Sequence, residues 1–363
     1  MSIHVSEVFH LDEYTKEAAE VFPNSVFIAP EWIEGFRHPG RIPIYFRFVS
    51  EEKTVGIIGG LRLTSSNRLL RKFCKSILFF SGPSVVQTDR PLVSICMKAL
   101  VEFASRHRYS RLLFHSWDYP QTFNFTTLPM MIHTRKEYII DLREELKDIN
   151  KKVRPYIKRN ARRAISNGAT FHESDSANLV SELLFLLEET KKMRVAKGHA
   201  TYSYYYMPFL EDKIIFEMVR RRKGKIFYVL KNNEVLAAEL VLTHGKRAYA
   251  LLNATSSEGY NIGANPFLKM MLIKKMKGDG VEYLNLGGIP GSASGSELAF
   301  YKLSCGARDY VCMGGTTQFL NGFLAHFNPF LNAYEKLDRE KVKRILGNRI
   351  AEKVRRAKGN LNW

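Results

Sequence analysis

A strand–loop–helix–strand order occurs twice in this chain, and that repeat restricts its fold more than any other feature. In the first copy, SILFFSGPSVV (76–86) reads as a strand running into a turn. QTDRP follows, then LVSICMKALVEFASRH, whose apolar residues stand three and four apart as on one helix face, then RLLFHSW (111–117) as a buried strand. In the second copy, KRAYALLNATS (246–256) is a strand, SEGYNIGANP a loop, FLKMMLIKKMKGDG a helix and VEYLNLGG a strand. Both helices open with a proline, Pro91 and Pro266, whose missing N–H costs nothing in a first turn. Asn265 is placed to cap the second helix, and Gly278 and Gly280 to end it.

The second copy has a longer lead-in. NLVSELLFLLEETKKMRVAKG (178–198) is an amphipathic helix. KIFYVLKNNEVLAAELVLTHGKRAYALLNATS (225–256) is a meander of three strands, turning at Asn232-Asn233 and at His244-Gly245. Antiparallel strands, a helix, then a strand parallel to the last is the order of the GNAT acyltransferase core. The fold class expected is α/β (α+β): two GNAT-like domains, each a mixed twisted sheet flanked by helices. The expected boundaries are 1–145 for the first, 146–168 for a basic junction helix, 169–320 for the second, catalytic domain and 321–363 for a basic amphipathic tail.

At 363 residues, 45% hydrophobic and 25% charged, the chain is ordinary globular material with room for two or three domains. No window approaches the 18 apolar residues of a membrane span, and MSIHVSEVFHLDEY lacks the pattern of a signal peptide. Cys74, Cys96, Cys305 and Cys312 are scattered without metal-site spacing, which fits reduced thiols in the cytoplasm and implies no metal. The formal charge of +19 sets up a field that attracts polyanions: nucleic acid, nucleotide phosphates or an anionic membrane. KKVRPYIKRNARR (151–163) carries seven basic residues in thirteen.

Several stretches together resemble the Fem family of peptidoglycan peptidyltransferases and the related FemAB-like GNAT proteins. NSVFIAPEWIEGF (24–36) resembles that family's opening element, and FFSGPSVV its first-domain glycine turn. EYIIDLREELKDINKKVRPYIKRNARRAISNG (137–168) resembles its junction, and LNLGGIPGSASGSELAFYKLSCGA its closing signature. The similarity covers about residues 20–318. It departs from the family where Leu-Ser-Cys-Gly follows Tyr301-Lys302, and where Asn261-Ile-Gly-Ala replaces the usual phosphate loop. The resemblance implies acyl or aminoacyl transfer to an amine, with acyl-CoA or aminoacyl-tRNA as co-substrate and no permanently bound cofactor.

Lys302 is the foremost candidate. A lysine after a small-residue loop can set a cation beside a phosphate or a developing oxyanion, the role the resemblance implies for it; the bland alternative is an exposed helix lysine. Tyr301 reads as a hydrogen-bond donor or as core. The loop 289–296 is expected to cover substrate, with Gly287 and Gly288 permitting close backbone approach. Glu239 lies in the apolar strand LAAELVL, where a carboxylate is a paired group or a general base, unless the position is an exposed edge. Asn253 stands where GNAT strands splay around the donor. Arg194 is implied by the resemblance to grip an acceptor diphosphate, and Tyr205, from TYSYYYMPF, is a candidate aromatic wall. Lys152, Arg159 and Arg163 fall on one stripe of an expected single helix and, with Gly263, are candidates for donor phosphate or RNA; a solvated face is the alternative. Phe330, Tyr334, Leu337 and Ile345 mark one face of the tail, suited to an anionic membrane or to packing on the domain.

The expected function is transfer of an acyl or aminoacyl group to an amine of a cell-envelope precursor, nucleotide- or lipid-linked, or of a related metabolite. Transfer RNA and a peripheral membrane contact are the other expected partners, in a cytoplasmic protein. Two alternatives stand beside this reading: an acyl-CoA-dependent N-acetyltransferase acting on a sugar or polysaccharide precursor, and a non-catalytic RNA- or membrane-binding module.

Overall fold

The computed structural model describes residues 2–22, 25–64, 75–86, 90–119, 128, 130–196, 203–289, 294–320 and 323–329. Its strands are β1 (His4–Glu7), β2 (Arg41–Ser50), β3 (Lys53–Thr64), β4 (Lys75–Phe79), β5 (Ser84–Val85), β6 (Arg111–Phe114), β7 (Met130–Asp141), β8 (Thr170–Ser174), β9 (Gly224–Lys231), β10 (Glu234–His244), β11 (Arg247–Thr255), β12 (Tyr283–Gly288) and β13 (Arg308–Thr317). They form one sheet in the order β1-β2-β3-β4-β6-β13-β7-β12-β11-β10-β9-β8, with β5 beside β3.

That order reads the same from either end. β4 and β6 pair in parallel across the helix Arg90–Arg106, and β11 and β12 pair in parallel across the helices Ser257–Ile262 and Ala264–Gly278. The expected repeat is therefore present as two equivalent β–α–β units. At the centre each half takes up the other's last strand. β13 pairs with β6, β7 pairs with β12, and β7 and β13 pair with each other, all antiparallel.

Alternation along the strands sorts side chains to two faces. On β10, Ala238, Leu240 and Leu242 join a core that runs across both halves with Trp32, Phe80, Trp117, Leu183 and Ile214. Ala237 and Val241 face the opposite side, with Leu268 and Leu272 of the helix Ala264–Gly278. Asn232 and Asn233 turn the β9–β10 hairpin with φ of 49° and 64°, the left-handed pair a two-residue turn needs.

Three local expectations change. The basic segment is two helices, Leu146–Lys152 and Pro155–Ser166, because the residue before a proline is driven out of the helical region, and Arg154 is extended at ψ 148°. Lys152 therefore shares no helical stripe with Arg159 and Arg163. SEGYNIGANP is mostly helical: Ser256 caps Ser257–Ile262 by accepting from the Gly259 N–H at 3.0 Å, and Gly263, at φ 84°, turns the chain into the next helix. Asn265 consequently lies inside that helix and is not its cap. Residues 294–304 form a helix, which shortens the expected loop, and 290–293 lie outside the described residues. Of the expected tail, Phe330, Tyr334, Leu337 and Ile345 lie outside them as well.

Candidate active site

β11 and β12 begin as a parallel pair and then part. Only Arg247, Ala248 and Tyr249 stand opposite Tyr283, Leu284 and Asn285, although β11 continues to Thr255 and β12 to Gly288. The β12–β7 register slips between Asn285 and Gly288, where Gly287 takes φ 73° and donates its N–H to Asn285 Oδ1 at 2.8 Å. A side chain would strain that backbone. The equivalent unit of the first half stays closed: His115 N–H and Trp117 N–H continue the ladder to Phe79 O at 2.8 Å and Phe80 O at 3.1 Å. Tyr119 lies directly on Gly82, where a Cβ would sit 2.4 Å from its ring, and donates to Pro83 O at 2.8 Å.

Lys302 reaches the open wedge from the helix Ser294–Ser304. Its Nζ donates to Leu286 O at 2.5 Å and Gly288 O at 2.6 Å, and the side chain is buried rather than on an exposed helix face. Burial, reinforced by the neighbouring Lys269 ammonium, lowers it to about 7. A Cβ on Gly287 would lie 3.3 Å from Tyr249 Oη and 3.7 Å from Lys302 Nζ, so the turn, the phenol and the amine meet at one point.

Beside them lies a polar cluster that sequence reasoning missed. Glu137, on β7, has no exposed surface. Its Oε1 accepts from Arg135 Nη2 at 2.8 Å and Tyr249 Oη at 3.2 Å, and its Oε2 from Asn285 Nδ2 at 2.8 Å and Asp118 N–H at 2.9 Å. Burial raises its carboxyl above the usual range despite Arg135. Arg247 grips Asp118 at 2.6 and 2.9 Å, and Asn285 Nδ2 also donates to Asp118 Oδ1 at 2.9 Å. Tyr249 is held edge-on by Phe27 from the opening element, with ring centroids 4.8 Å apart. Nothing local marks these residues: Glu137 in KEYIID and Asp118 in WDYP look like surface carboxylates.

The other candidates separate. Glu239 is buried, not at an edge, and both its oxygens accept from Lys269 Nζ, at 2.5 and 2.6 Å. A carboxylate held this way is an ion-pair partner, which speaks against its use as a free base. The Tyr301 hydroxyl is buried beside Cys305, and the ring packs in the helix-side core, so its position favours core over donor. Asn253 stands on the unpaired part of β11 and donates to Asn265 Oδ1 at 3.1 Å. Tyr205 bonds Asp212, whereas its neighbour Tyr206 donates to Leu251 O at 2.9 Å and reaches the wedge instead. Arg194 is half-buried in the last turn of Ala177–Ala196, where the adjacent Met193 touches Ser257 at 3.5 Å. The Gly263 N–H is occupied by Gly259 O and Tyr260 O at 3.1 and 3.3 Å. A Cβ there would stand 2.5 Å from Asn160 O, so this glycine serves close helix packing and speaks against a phosphate at its amide. Lys152 is paired with Glu144, while Arg159 and Arg163 are exposed one turn apart.

Among the described residues no helix is long and apolar enough to cross a membrane, and no group of side chains could hold a metal ion. Residues 151–303 match the family model of an acetyltransferase (GNAT) domain. No curated protein sequence matches the chain. Among solved structures, FemX aligns with a TM-score of 0.65 at 12% identity, covering 85% of this chain and 96% of its own. L-PGS from Bacillus licheniformis aligns at 0.53 and 14%, covering 89% and 95%. The C-terminal domain of a putative lysylphosphatidylglycerol synthetase from Agrobacterium fabrum aligns at 0.50 and 14%, covering 89% and 97%. The chain thus has a fold like that of FemX, and the parting of β11 and β12 lies in the stretch that matches the acetyltransferase (GNAT) domain.

Proposed function

We propose that the protein transfers an acyl or aminoacyl group from an activated donor to an amine of a cell-envelope precursor or related metabolite. The observation that carries this is the asymmetry of the two units: the ladder of the first continues through His115 and Trp117 with Tyr119 packed on Gly82, whereas the strands of the second part after Tyr249 and Asn285 with Lys302 bonded at the parting. An opening between parallel strands lets the acyl end of a donor meet an amine coming from the opposite face of the sheet, which is the positioning that direct transfer needs. The amine nitrogen attacks the acyl carbon. The N–C bond forms, the C–S bond of a thioester or the C–O bond of an aminoacyl ester breaks, and the amine's proton ends on the leaving thiolate or alkoxide.

Lys302 would stabilise the oxyanion of the tetrahedral intermediate. Its Nζ spends two hydrogens on strand carbonyls, which leaves the third of the ammonium form for the reacting group. An approaching negative charge favours that protonated form. Gly287 and Gly288 let the substrate backbone pass close to it. The GNAT match favours acyl-CoA as donor, and the exposed Arg159 and Arg163 favour aminoacyl-tRNA. The putative lysylphosphatidylglycerol synthetase neighbour supports a lipid-linked acceptor, and the Fem-family resemblance of the sequence a nucleotide-linked one, met in the cytoplasm or at its membrane face.

The test is mass spectrometry of small molecules and RNA that copurify with the protein, followed by transfer assays with acyl-CoA and aminoacyl-tRNA. Lys302→Met should keep the fold and lose about a hundredfold in turnover, as for a transition-state contact of roughly 3 kcal/mol. Lys302→Arg should restore only part, since a planar fork does not replace a compact ammonium. Transfer from neither donor, or full turnover in the methionine variant, would overturn the reading.

A further inference from the structure

Among the described residues, one nitrogen of Arg135 has no partner, in a place that holds the rest of its guanidinium still. Nη2 is fixed on Glu137 at 2.8 Å, and the guanidinium lies over the Trp117 ring at 5.2 Å from its centroid. Gly288 presses on it from the strand, where a Cβ would come within 2.8 Å of Nη2. Among the described residues Nη1 is buried and makes no hydrogen bond, with the Tyr249 hydroxyl beside the guanidinium. A buried cationic N–H left unmade is costly, and such groups in native proteins are commonly completed by a ligand or water. The side chain as a whole is 23% exposed, while Nη1 itself is covered.

The surrounding charges set what could complete it. Asp118 pairs with Arg247, Glu239 with Lys269, and Glu137 with Arg135. Among the described residues around Arg135, Lys302 is the basic group with no carboxylate partner, one Gly-Gly turn away. Lys302 takes up its proton as a negative charge approaches, so the site suits one negative charge better than two.

We infer that Arg135 anchors a carboxylate on the acceptor, so that the preferred substrate is an amine carrying a carboxylate within a few bonds of the attacking nitrogen. This rests on the transfer reading for its purpose, but its test does not need a donor. Arg135 acts here as a binding residue on the first half of the chain, facing a wedge formed by the second. Its position makes the acceptor subsite a joint product of both halves.

Binding of L-lysine and of cadaverine, which differ by one carboxylate, is measured by calorimetry on the full chain, with an aminoalkyl phosphate of similar length as a third probe. Lysine should bind roughly tenfold or more tighter than cadaverine, the worth of one charge-assisted contact. Arg135→Gln should erase that difference. Because this change strands a buried Glu137, the double variant Arg135→Gln/Glu137→Gln, which removes the whole pair, is measured beside it and should behave the same way. Equal binding of lysine and cadaverine, no measurable binding of lysine, or a preference that survives the double variant would overturn the inference. Tighter binding of the aminoalkyl phosphate would replace carboxylate by phosphate and overturn it also. If lysine binds as expected and no donor supports transfer, the proposed function fails and the subsite stands.

Discussion

A lysine buried in the wedge has to leave its mark on stability. Lys302 titrates near 7 in the folded chain against an ordinary value of 10.5, with burial as the main cause. Between those two values the unfolded chain binds the proton and the folded chain does not. Stability therefore rises with pH across this window and is lowest below it, where the buried group is charged. A shift of this size gives a gain of about 3 kcal/mol between pH 7 and pH 9.5, since the unfolded chain carries between half a proton and one proton more throughout. Other groups titrate in the same range, so the quantity to read is the difference between wild type and Lys302→Met. Urea unfolding at half-unit steps should show the methionine variant relatively more stable at pH 6.5, with its advantage shrinking by about 3 kcal/mol toward pH 9.5. The neutral amine can keep its bonds to Leu286 O and Gly288 O, so little of that change should come from lost hydrogen bonds. Parallel stability curves for the two proteins would refute the placement of a buried, proton-releasing lysine at the wedge.

Three further outcomes follow from neighbouring geometry. Lys269→Met should cost about 3–5 kcal/mol by leaving Glu239 buried and unpaired, and adding Glu239→Leu should return most of it in chemical denaturation. Gly287→Ala meets a left-handed backbone as well as Tyr249 Oη, so it should lower the melting temperature by an amount equivalent to roughly 1–2 kcal/mol and reduce transfer. If tRNA is bound by the basic helix, Arg159→Gln/Arg163→Gln should flatten the salt dependence of its Kd as much as the triple change with Lys152→Gln, because Lys152 is already paired with Glu144; a further drop in slope on adding Lys152→Gln would contradict this.

What the sequence made readable was local. The β9–β10 turn, the two β–α–β units and the helices on them all follow from spacing, turn residues and apolar period. Where reading failed, a neighbour had changed the local rule. Pro155 broke the basic stripe, and left-handed Gly263 started a helix before Asn265 could cap it. Lys302 could be singled out by its place after the Gly-Gly turn, but its two carbonyl partners follow from a bulge that no residue count reveals. Glu137 and Asp118 were beyond reach for a stronger reason. Their partners Tyr249, Asn285 and Arg247 come from the other half of the chain, so their burial is a product of topology alone.

The exchange of central strands explains why that topology matters for the site. Had each proposed unit kept its own last strand, β12 would have been flanked by second-half residues only, and Glu137 could not have stood beneath Tyr249. Because β7 pairs with β12 instead, its outward alternation carries Arg135 and Glu137 to the mouth of the open wedge. By symmetry β13 stands beside the first unit, where the ladder continues and Tyr119 is seated on Gly82. Duplication of one unit thus yields two unequal roles from nearly equal topology. The second half holds the opening and its lysine. The first half, with its own wedge closed, contributes through β7 a guanidinium and a carboxylate that its partner's strands do not have.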